Sequence, residues 1–267
     1  MIATGHAKDS RMKKKLLHIA KILGVVTLFL LLAAYFVGAS FLQEQGQPQL
    51  LCKRIDIHIA DSSQNRLVLQ DDVYDFLQKH YPSLLGDKIA ELNTHQIENL
   101  LREMVGVQSC EVSHDIQGSL TANIVLRQPL LRLLSEQGSY YLDNTGALFP
   151  GIPRRTAYVP VVSGNIPLEE TDWIAQLHEF GQYIHNHRFW NAQIEQLYVH
   201  NPHHIEIVPR AGGQPIIMGD LSRFQYKLQK LYSFYRNAAP VEGWESYASL
   251  DLRFGDQIVC TRTTAKK

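Results

Sequence analysis

The sequence predicts an α+β protein with a single N-terminal transmembrane helix, a small β-α-α-β-β module and a β-rich domain with flanking helices. Three observations support this. An uncharged apolar run lies near the N-terminus, about 225 residues follow it, and their residue patterns are typical of strands and helices in the order just given. That length is comfortable for two modules. With 45% hydrophobic and 19% charged residues, the average composition is that of an ordinary folded protein.

The transmembrane helix is predicted at residues 22–42, a run of 21 residues without a charge, 13 of them Leu, Ile, Val or Phe. Such a run matches about 30 Å of hydrocarbon at about 1.5 Å per residue. Residues 1–21 hold six basic side chains against one acidic residue, so we expect this tail to stay in the cytoplasm. A signal peptide cleaved near Ala39 is the alternative, but its apolar core is usually shorter.

The charge balance bears on possible partners. The net charge is zero, but outside the basic tail 20 basic side chains face 25 acidic ones. Because phosphate neutralisation needs a basic face, this acidic remainder argues against nucleic-acid binding.

After a linker at residues 43–50, the first module is predicted at residues 51–128. Alternating isoleucines indicate a strand near Ile57, two helices follow with apolar residues on one face, and a hairpin turns at Gln117-Gly118-Ser119. Acidic residues open the first helix and Asn93 or Thr94 caps the second.

The second domain is predicted at residues 129–262, followed by a tail at 263–267. Alternation and turn residues indicate several strands, and 3.6-residue spacing of apolar residues indicates two helices. The predicted helices are 168–186 and 222–235, and the predicted strands are 140–142, 147–149, 194–199, 204–208, 215–218, 250–254 and 258–261.

Motifs for catalysis are not found. Asp143-Asn144-Thr145-Gly146 differs from the Asp-Thr-Gly of aspartic proteases, since Asn144 separates the carboxylate from the threonine, and a hairpin turn is expected there. There is no Gly-x-Ser-x-Gly and no phosphate-binding loop. We therefore expect a binding or scaffold protein rather than an enzyme, without a cofactor.

Histidines and cysteines carry little further signal. His185 with His187, and the run His200-Asn201-Pro202-His203-His204, raise the question of a metal site, but His-Glu-x-x-His and Cys-x-x-Cys are absent. We expect His-rich surface turns without a metal. A membrane-tethered hydrolase that uses these histidines is a separate hypothesis. Three scattered cysteines form no disulfide framework, and whether any two pair stays open.

Three segments carry a resemblance to a known family. They are a hairpin at Tyr141–Phe149, a strand and glycine turn at Ile217–Gly219 followed by a helix, and Leu250-Asp251-Leu252-Arg253-Phe254 before a last strand. Together with the basic tail, the span and the β-α-α-β-β order, they resemble the FtsQ/DivIB bacterial cell-division proteins. In that family the first module is a POTRA domain.

The resemblance implies a non-enzymatic scaffold of the divisome in the bacterial inner membrane, at the division septum, with a cytoplasmic N-terminus and a periplasmic bulk. It also implies partners like FtsB and FtsL, which are bitopic coiled-coil proteins, and possible divisome contacts of the POTRA domain. The implied partner-binding residues are Arg253, Phe254, Ile258, Val259, Cys260, Thr261 and Arg262.

Two alternatives concern these residues and this class. The alternation of Leu250, Leu252 and Phe254 also permits Phe254 to lie in the core with Arg253 solvated, and Arg262 stands near the place where some relatives have an aromatic residue. The other class is a POTRA-containing membrane-anchored protein of protein export or envelope assembly. Those chains usually continue into a transmembrane barrel, whose strand pattern is missing here.

Overall fold

The computed structural model describes residues 23–24, 26–39, 50–60, 66–243 and 246–263. The predicted basic tail, most of the predicted linker and residues 264–267 lie outside the described residues. The chain divides into two compact units, Met1–Leu51 with Lys88–Ala90, and Cys52–Asp87 with Glu91–Lys267.

In the first unit, residues 23–24 and 26–39 are helical, and Leu51 forms an antiparallel β-bridge with Lys88. The predicted membrane segment 22–42 begins and ends outside the described residues. Within the described part of the chain, no helix is long and apolar enough to cross a membrane. The transmembrane helix therefore stays a prediction.

The second unit begins with a module in the order β-α-α-β-β, as the sequence predicts. Its three strands form a sheet in the order β1-β3-β2, with β1 parallel and β2 antiparallel to β3. Helix α1 contacts β1, and α2 contacts β2. The elements are β1 (Arg54–Ile59), α1 (Gln70–His80), a 3-10 turn (Ile89–Glu91), α2 (Thr94–Arg102), β2 (Val107–His114) and β3 (Ser119–Leu126).

Both helices of this module begin where the sequence predicts. The Asp72 carboxylate accepts a hydrogen bond from the Leu69 N–H at 2.8 Å, and the Asn93 side chain accepts one from the Gln96 N–H at 3.1 Å. These bonds satisfy backbone donors at the helix N-termini. Each helix turns its buried leucine, Leu77 or Leu101, inward.

The remaining strands form one nine-stranded mixed sheet in the order β12-β11-β10-β9-β8-β7-β4-β5-β6. Parallel pairs join β4 to β7, β7 to β8 and β10 to β11; the other neighbours are antiparallel. The strands are β4 (Pro129–Ser135), β5 (Gly138–Asp143), β6 (Leu148–Pro150), β7 (Val161–Gly164), β8 (Ile194–Asn201), β9 (His204–Pro209), β10 (Ile216–Gly219), β11 (Tyr247–Asp251) and β12 (Val259–Arg262).

The helices of this domain share one apolar core with the sheet. Trp173, Leu177 and Phe180 of one helix and Leu228 and Leu231 of another are buried in the same cluster as the inward residues of the strands. Burying each such side chain contributes about 2 kcal/mol. The helices are α3 (Thr171–Asn186), α4 (Arg188–Gln193), α5 (Phe224–Asn237) and α6 (Ala239–Glu242).

Some local predictions were wrong. The strand predicted at 250–254 ends at Asp251, because the burial of Leu250, Asp251 and Leu252 does not alternate and the chain then turns away. The helix predicted from Leu168 begins at Thr171, after a turn in which the Glu170 N–H bonds the Pro167 carbonyl. Strand β7 and helices α4 and α6, each of six residues or fewer, were not predicted, and of β4 the sequence indicated only that strands begin near Leu130.

The Asp143 turn connects β5 and β6 and ties them to the end of the first module. Asp143 is fully buried, and its carboxylate accepts hydrogen bonds from the Thr145 and Ala147 N–H groups, the Thr145 hydroxyl and the Arg127 guanidinium. Burial raises the pKa of Asp143, but these hydrogen bonds outweigh it and hold the pKa below its usual value. The turn predicted here is thus a hairpin turn with an ion pair at its base.

Candidate functional site

The last strand of the chain lies at an edge of the large sheet. Strand β12 pairs with β11 in antiparallel register, Leu250 opposite Cys260 and Asp251 opposite Val259, and no other described strand pairs with it. Its outer side therefore presents backbone N–H and C=O groups that a further strand can bind.

Side chains along this edge alternate between core and solvent. Ile258 and Cys260 are half-buried and pack against the core, whereas Val259 and Thr261 point outward and are exposed. Arg262 at the end of the strand is exposed as well. Of the predicted binding residues, Val259, Thr261 and Arg262 are exposed, while Cys260 and Ile258, which directly precedes the strand, are half-buried.

Arg253 forms a close ion pair with Asp251 at the start of the loop between β11 and β12. Its Nη2 lies 2.6 Å from Asp251 Oδ2 and its Nε 3.0 Å from Oδ1. Burial raises the pKa of Asp251, but the hydrogen bonds and charge of Arg253 hold it below its usual value; the pKa of Arg253 is raised by the same pair. A bidentate pair of this kind holds the guanidinium in one orientation.

Phe254 follows directly and is 46% exposed, although its neighbour Leu252 is buried. The Leu252 N–H donates to the Ile217 carbonyl at 2.8 Å, which anchors the start of the loop to β10. Phe254 is therefore not a core residue, and the alternative with Phe254 in the core is wrong. An exposed aromatic ring beside a fixed guanidinium is a combination found at protein interfaces.

Helix α5 binds the loop between β11 and β12 through two side chains. The Lys230 ammonium group donates hydrogen bonds to the carbonyl oxygens of Leu252 at 3.3 Å, Gly255 at 2.9 Å and Gln257 at 3.2 Å, and also to that of Phe254. One turn earlier, the Tyr226 hydroxyl donates to Asp256 Oδ1 at 2.7 Å. The loop is thus tied to the helix at nearly every residue from 252 to 257.

Gly219 makes room for the arginine. It has a φ of +79°, and a Cβ placed there would lie 2.9 Å from Arg253 Cγ and 3.9 Å from the His203 carbonyl oxygen. Glycine is favoured by both the backbone conformation and the close approach. The glycine turn singled out in the sequence therefore lies against the predicted binding residues.

The sequence therefore pointed to residues that the structure brings together at one edge, and it missed the residues that hold them. Asp251 appeared only as part of a motif, and Lys230, Tyr226 and Asp256 were not considered. Tyr226 and Lys230 are four residues apart and therefore share one face of the helix, and this spacing could have indicated that both contact the same segment.

His185 and His187 do not form a site together. His187 lies between α3 and α4, where its ring packs near Tyr183 and Trp190, whereas His185 is exposed at the end of α3. The three cysteines are free thiols, and Cys52 and Cys110 are buried. Cys52 and Cys110 thus lie among small buried apolar residues, and Cys260 is half-buried.

The fold defines a class: a β-α-α-β-β module followed by a mixed β-sheet domain with flanking helices is the architecture of a POTRA-like domain joined to a β-rich domain. Family models agree with this description. The POTRA-like domain model matches residues 50–140, and the model described as FtsQ/DivIB, C-terminal related, matches residues 128–261.

The second match covers half of the chain, so the protein belongs to the FtsQ/DivIB C-terminal related family. This confirms the family predicted from the sequence and supports a division-related scaffold. Nothing among the curated protein sequences matches the chain.

Proposed function

We propose that this protein is a non-enzymatic bitopic scaffold of the bacterial divisome, which binds FtsB- and FtsL-like partners through the β11–β12 loop and the β12 edge. It is anchored in the inner membrane at the septum by residues 22–42, with residues 1–21 in the cytoplasm and the two domains, 51–128 and 129–262, in the periplasm. The partner complex then assembles the machinery of septal cell-wall synthesis.

One observation carries the proposal: an exposed edge strand ends the sheet directly beside a loop that is already ordered. Binding a strand to an edge gains backbone hydrogen bonds, and the adjacent side chains select the partner. Because Lys230 and Asp251 hold the loop before a partner arrives, little conformational entropy is lost when Phe254 and Arg253 are buried.

The exposed part of the Arg253 side chain can bind an acidic group of a partner. Arg253 has its Nε and Nη2 atoms bound to Asp251, but about half of its side chain is exposed. A guanidinium has five N–H donors, so a partner carboxylate can bind the outer side of the same group. The partner surface is therefore expected to combine an apolar pocket for Phe254 with a nearby carboxylate.

The test is binding of the full-length chain, reconstituted in nanodiscs, to the periplasmic segments of its candidate FtsB- and FtsL-like partners. Phe254→Ala removes a packed aromatic side chain, and its loss weakens binding by about 2 kcal/mol, or roughly 30-fold. Arg253→Glu places two acidic groups side by side and reverses the charge seen by the partner. A loss of similar size is expected.

Matched controls separate this edge from general surface effects. Ile116→Ala removes a side chain that is 90% exposed in the first module, and Arg188→Glu reverses the charge of an exposed residue at the start of α4. Both controls should bind like the wild type. A wild-type chain that fails to bind, or controls that lose as much affinity as Phe254→Ala, would contradict the proposed site.

A further inference from the structure

The hairpin of β8 and β9 places two imidazoles and a carboxylate together on the outer face of the sheet. His200 Nε2 lies 3.1 Å from Glu206 Oε1, and His204 Nε2 lies 3.4 Å from the same oxygen. One ligand atom from each of the three residues lies within 4.8 Å of the others. Among the residues that the structure describes, this is the one such group of three.

The strand geometry explains why these side chains meet. His204 and Glu206 are two residues apart on β9 and so point to the same face, opposite the buried Ile205 and Ile207. On β8, Tyr198 stands opposite Glu206, and His200, two residues after Tyr198, lies on the same exposed face, opposite the buried Val199. The alternation of the two paired strands thus places all three side chains on one face.

Neighbouring rings restrict both imidazoles. The Tyr198 and His200 rings meet edge-on with centroids 4.7 Å apart, and the His200 and His204 rings meet edge-on at 4.6 Å. The exposed side-chain fractions are 43% for His200, 38% for His204 and 26% for Glu206. The group is therefore open to solvent on one side and supported on the other.

The separations suit a small tetrahedral ion. With metal–ligand bonds of about 2.0 to 2.1 Å, neighbouring ligand atoms of a tetrahedral zinc site lie about 3.3 Å apart. The two nitrogen–oxygen distances of 3.1 and 3.4 Å are within a few tenths of an ångström of that value. Two nitrogen ligands and one oxygen favour Zn²⁺ and similar transition ions over Mg²⁺ or Ca²⁺, which prefer oxygen alone.

We propose that His200, His204 and Glu206 form a binding site for a divalent transition ion, Zn²⁺ foremost, with a fourth position open to water. The site does not depend on the proposed partner function. The chemistry of the three donors is complete without any residue from another chain. The sequence analysis expected a His-rich turn without a metal, because it did not pair the turn with Glu206 on the next strand.

The experiment is zinc titration of the full-length chain in detergent after removal of metals with a chelator. Calorimetry should show one ion bound with micromolar or tighter affinity. Co²⁺ used as a second probe should give the visible absorption of a tetrahedral N/O site. His200→Ala, His204→Ala and Glu206→Gln should each weaken binding of both ions at least tenfold.

His203→Ala is the matched control, because His203 is exposed in the same turn but is not part of the group. It should bind zinc like the wild type, and circular dichroism should show that all variants are folded. The proposal is overturned by a wild-type chain that binds no zinc at 100 times the protein concentration. It is equally overturned by stoichiometric binding that survives in the double variant His200→Ala, His204→Ala, or by equal losses in His203→Ala and His204→Ala.

Discussion

The ammonium nitrogen of Lys230 lies 2.9 Å from the carbonyl oxygen of Gly255, a residue 25 positions later in the chain. The same nitrogen also bonds the carbonyls of Leu252, Phe254 and Gln257. Lys230 of α5 therefore binds four carbonyl groups of the loop that presents Phe254. Lys230 is a positioning residue, since it acts on the candidate binding surface through the loop.

Replacing Lys230 by methionine should loosen this loop. The methionine keeps most of the apolar stem but leaves the carbonyls to water, and hydrogen bonds to a charged group contribute about 1.5 to 3 kcal/mol. We expect faster hydrogen exchange of the 252–257 amides and weaker partner binding, while the core stays folded. Hydrogen exchange and binding measured on Lys230→Met and on Gln229→Met, an exposed neighbour on α5, check this. Unchanged loop exchange in Lys230→Met contradicts it.

The two faces of β12 should respond differently to charge. Val259 and Thr261 point outward, so lysine at either position should leave the melting temperature nearly unchanged but weaken partner binding. Cys260 is half-buried and packs against the core, so Cys260→Lys places an ammonium group beside apolar side chains and should lower stability by about 1 to 3 kcal/mol. Thermal unfolding and binding of the three variants decide the matter. An unstable Val259→Lys together with a stable Cys260→Lys would reverse the assignment of faces.

Asp143 should make stability sensitive to acid. The pKa of Asp143 is held below its usual value in the folded chain, so its contribution is complete above the unfolded value of about 3.9. It is lost as the pH falls through the lower, folded value, because the unfolded chain then binds the extra proton. Wild type should lose stability below about pH 4 from this residue.

Asp143→Asn provides the comparison. The amide does not titrate, and its NH₂ group faces the Arg127 donor in place of an acceptor, so we expect about 2 to 3 kcal/mol less stability at pH 7. Between pH 5 and pH 2 the difference from wild type should shrink. Urea unfolding of both chains across this range measures it; a constant difference would show that the pKa of Asp143 is the same in the folded and the unfolded chain.

The three thiols should differ in reactivity. Burial raises the pKa of each, that of Cys110 to about 11, and the thiolate is the reactive form. Cys260 is partly exposed whereas Cys52 and Cys110 are buried, so iodoacetamide should label Cys260 first and the others only on unfolding. Mass spectrometry after labelling with and without urea checks the order. Early labelling of Cys52 would contradict the burial seen here.

Much of the local structure was predictable. Residues close in sequence form the hairpin of β2 and β3, the Asn93 cap and the Asp143 turn. Their local conformational preferences do not depend on distant parts of the chain. The predicted end of the last long strand was wrong because Leu250, Asp251 and Leu252 are all buried. A strand is recognised from alternation only when one of its faces is exposed to solvent. In this segment the first exposed residue after Leu250 is Arg253.

By itself, the sequence determined the β-α-α-β-β module and the order of its elements, the β-rich domain after it, the family and the segment that carries the candidate binding residues. It did so because periodicity and turn chemistry act over a few residues and survive in any tertiary context. Only the tertiary structure decided that Lys230 holds the 252–257 loop and that Glu206 joins His200 and His204. The first contact joins residues more than 20 positions apart and depends on how the helix and the sheet pack around a shared core. The second depends on the register of the β8–β9 hairpin, which the alternation of one strand alone does not give.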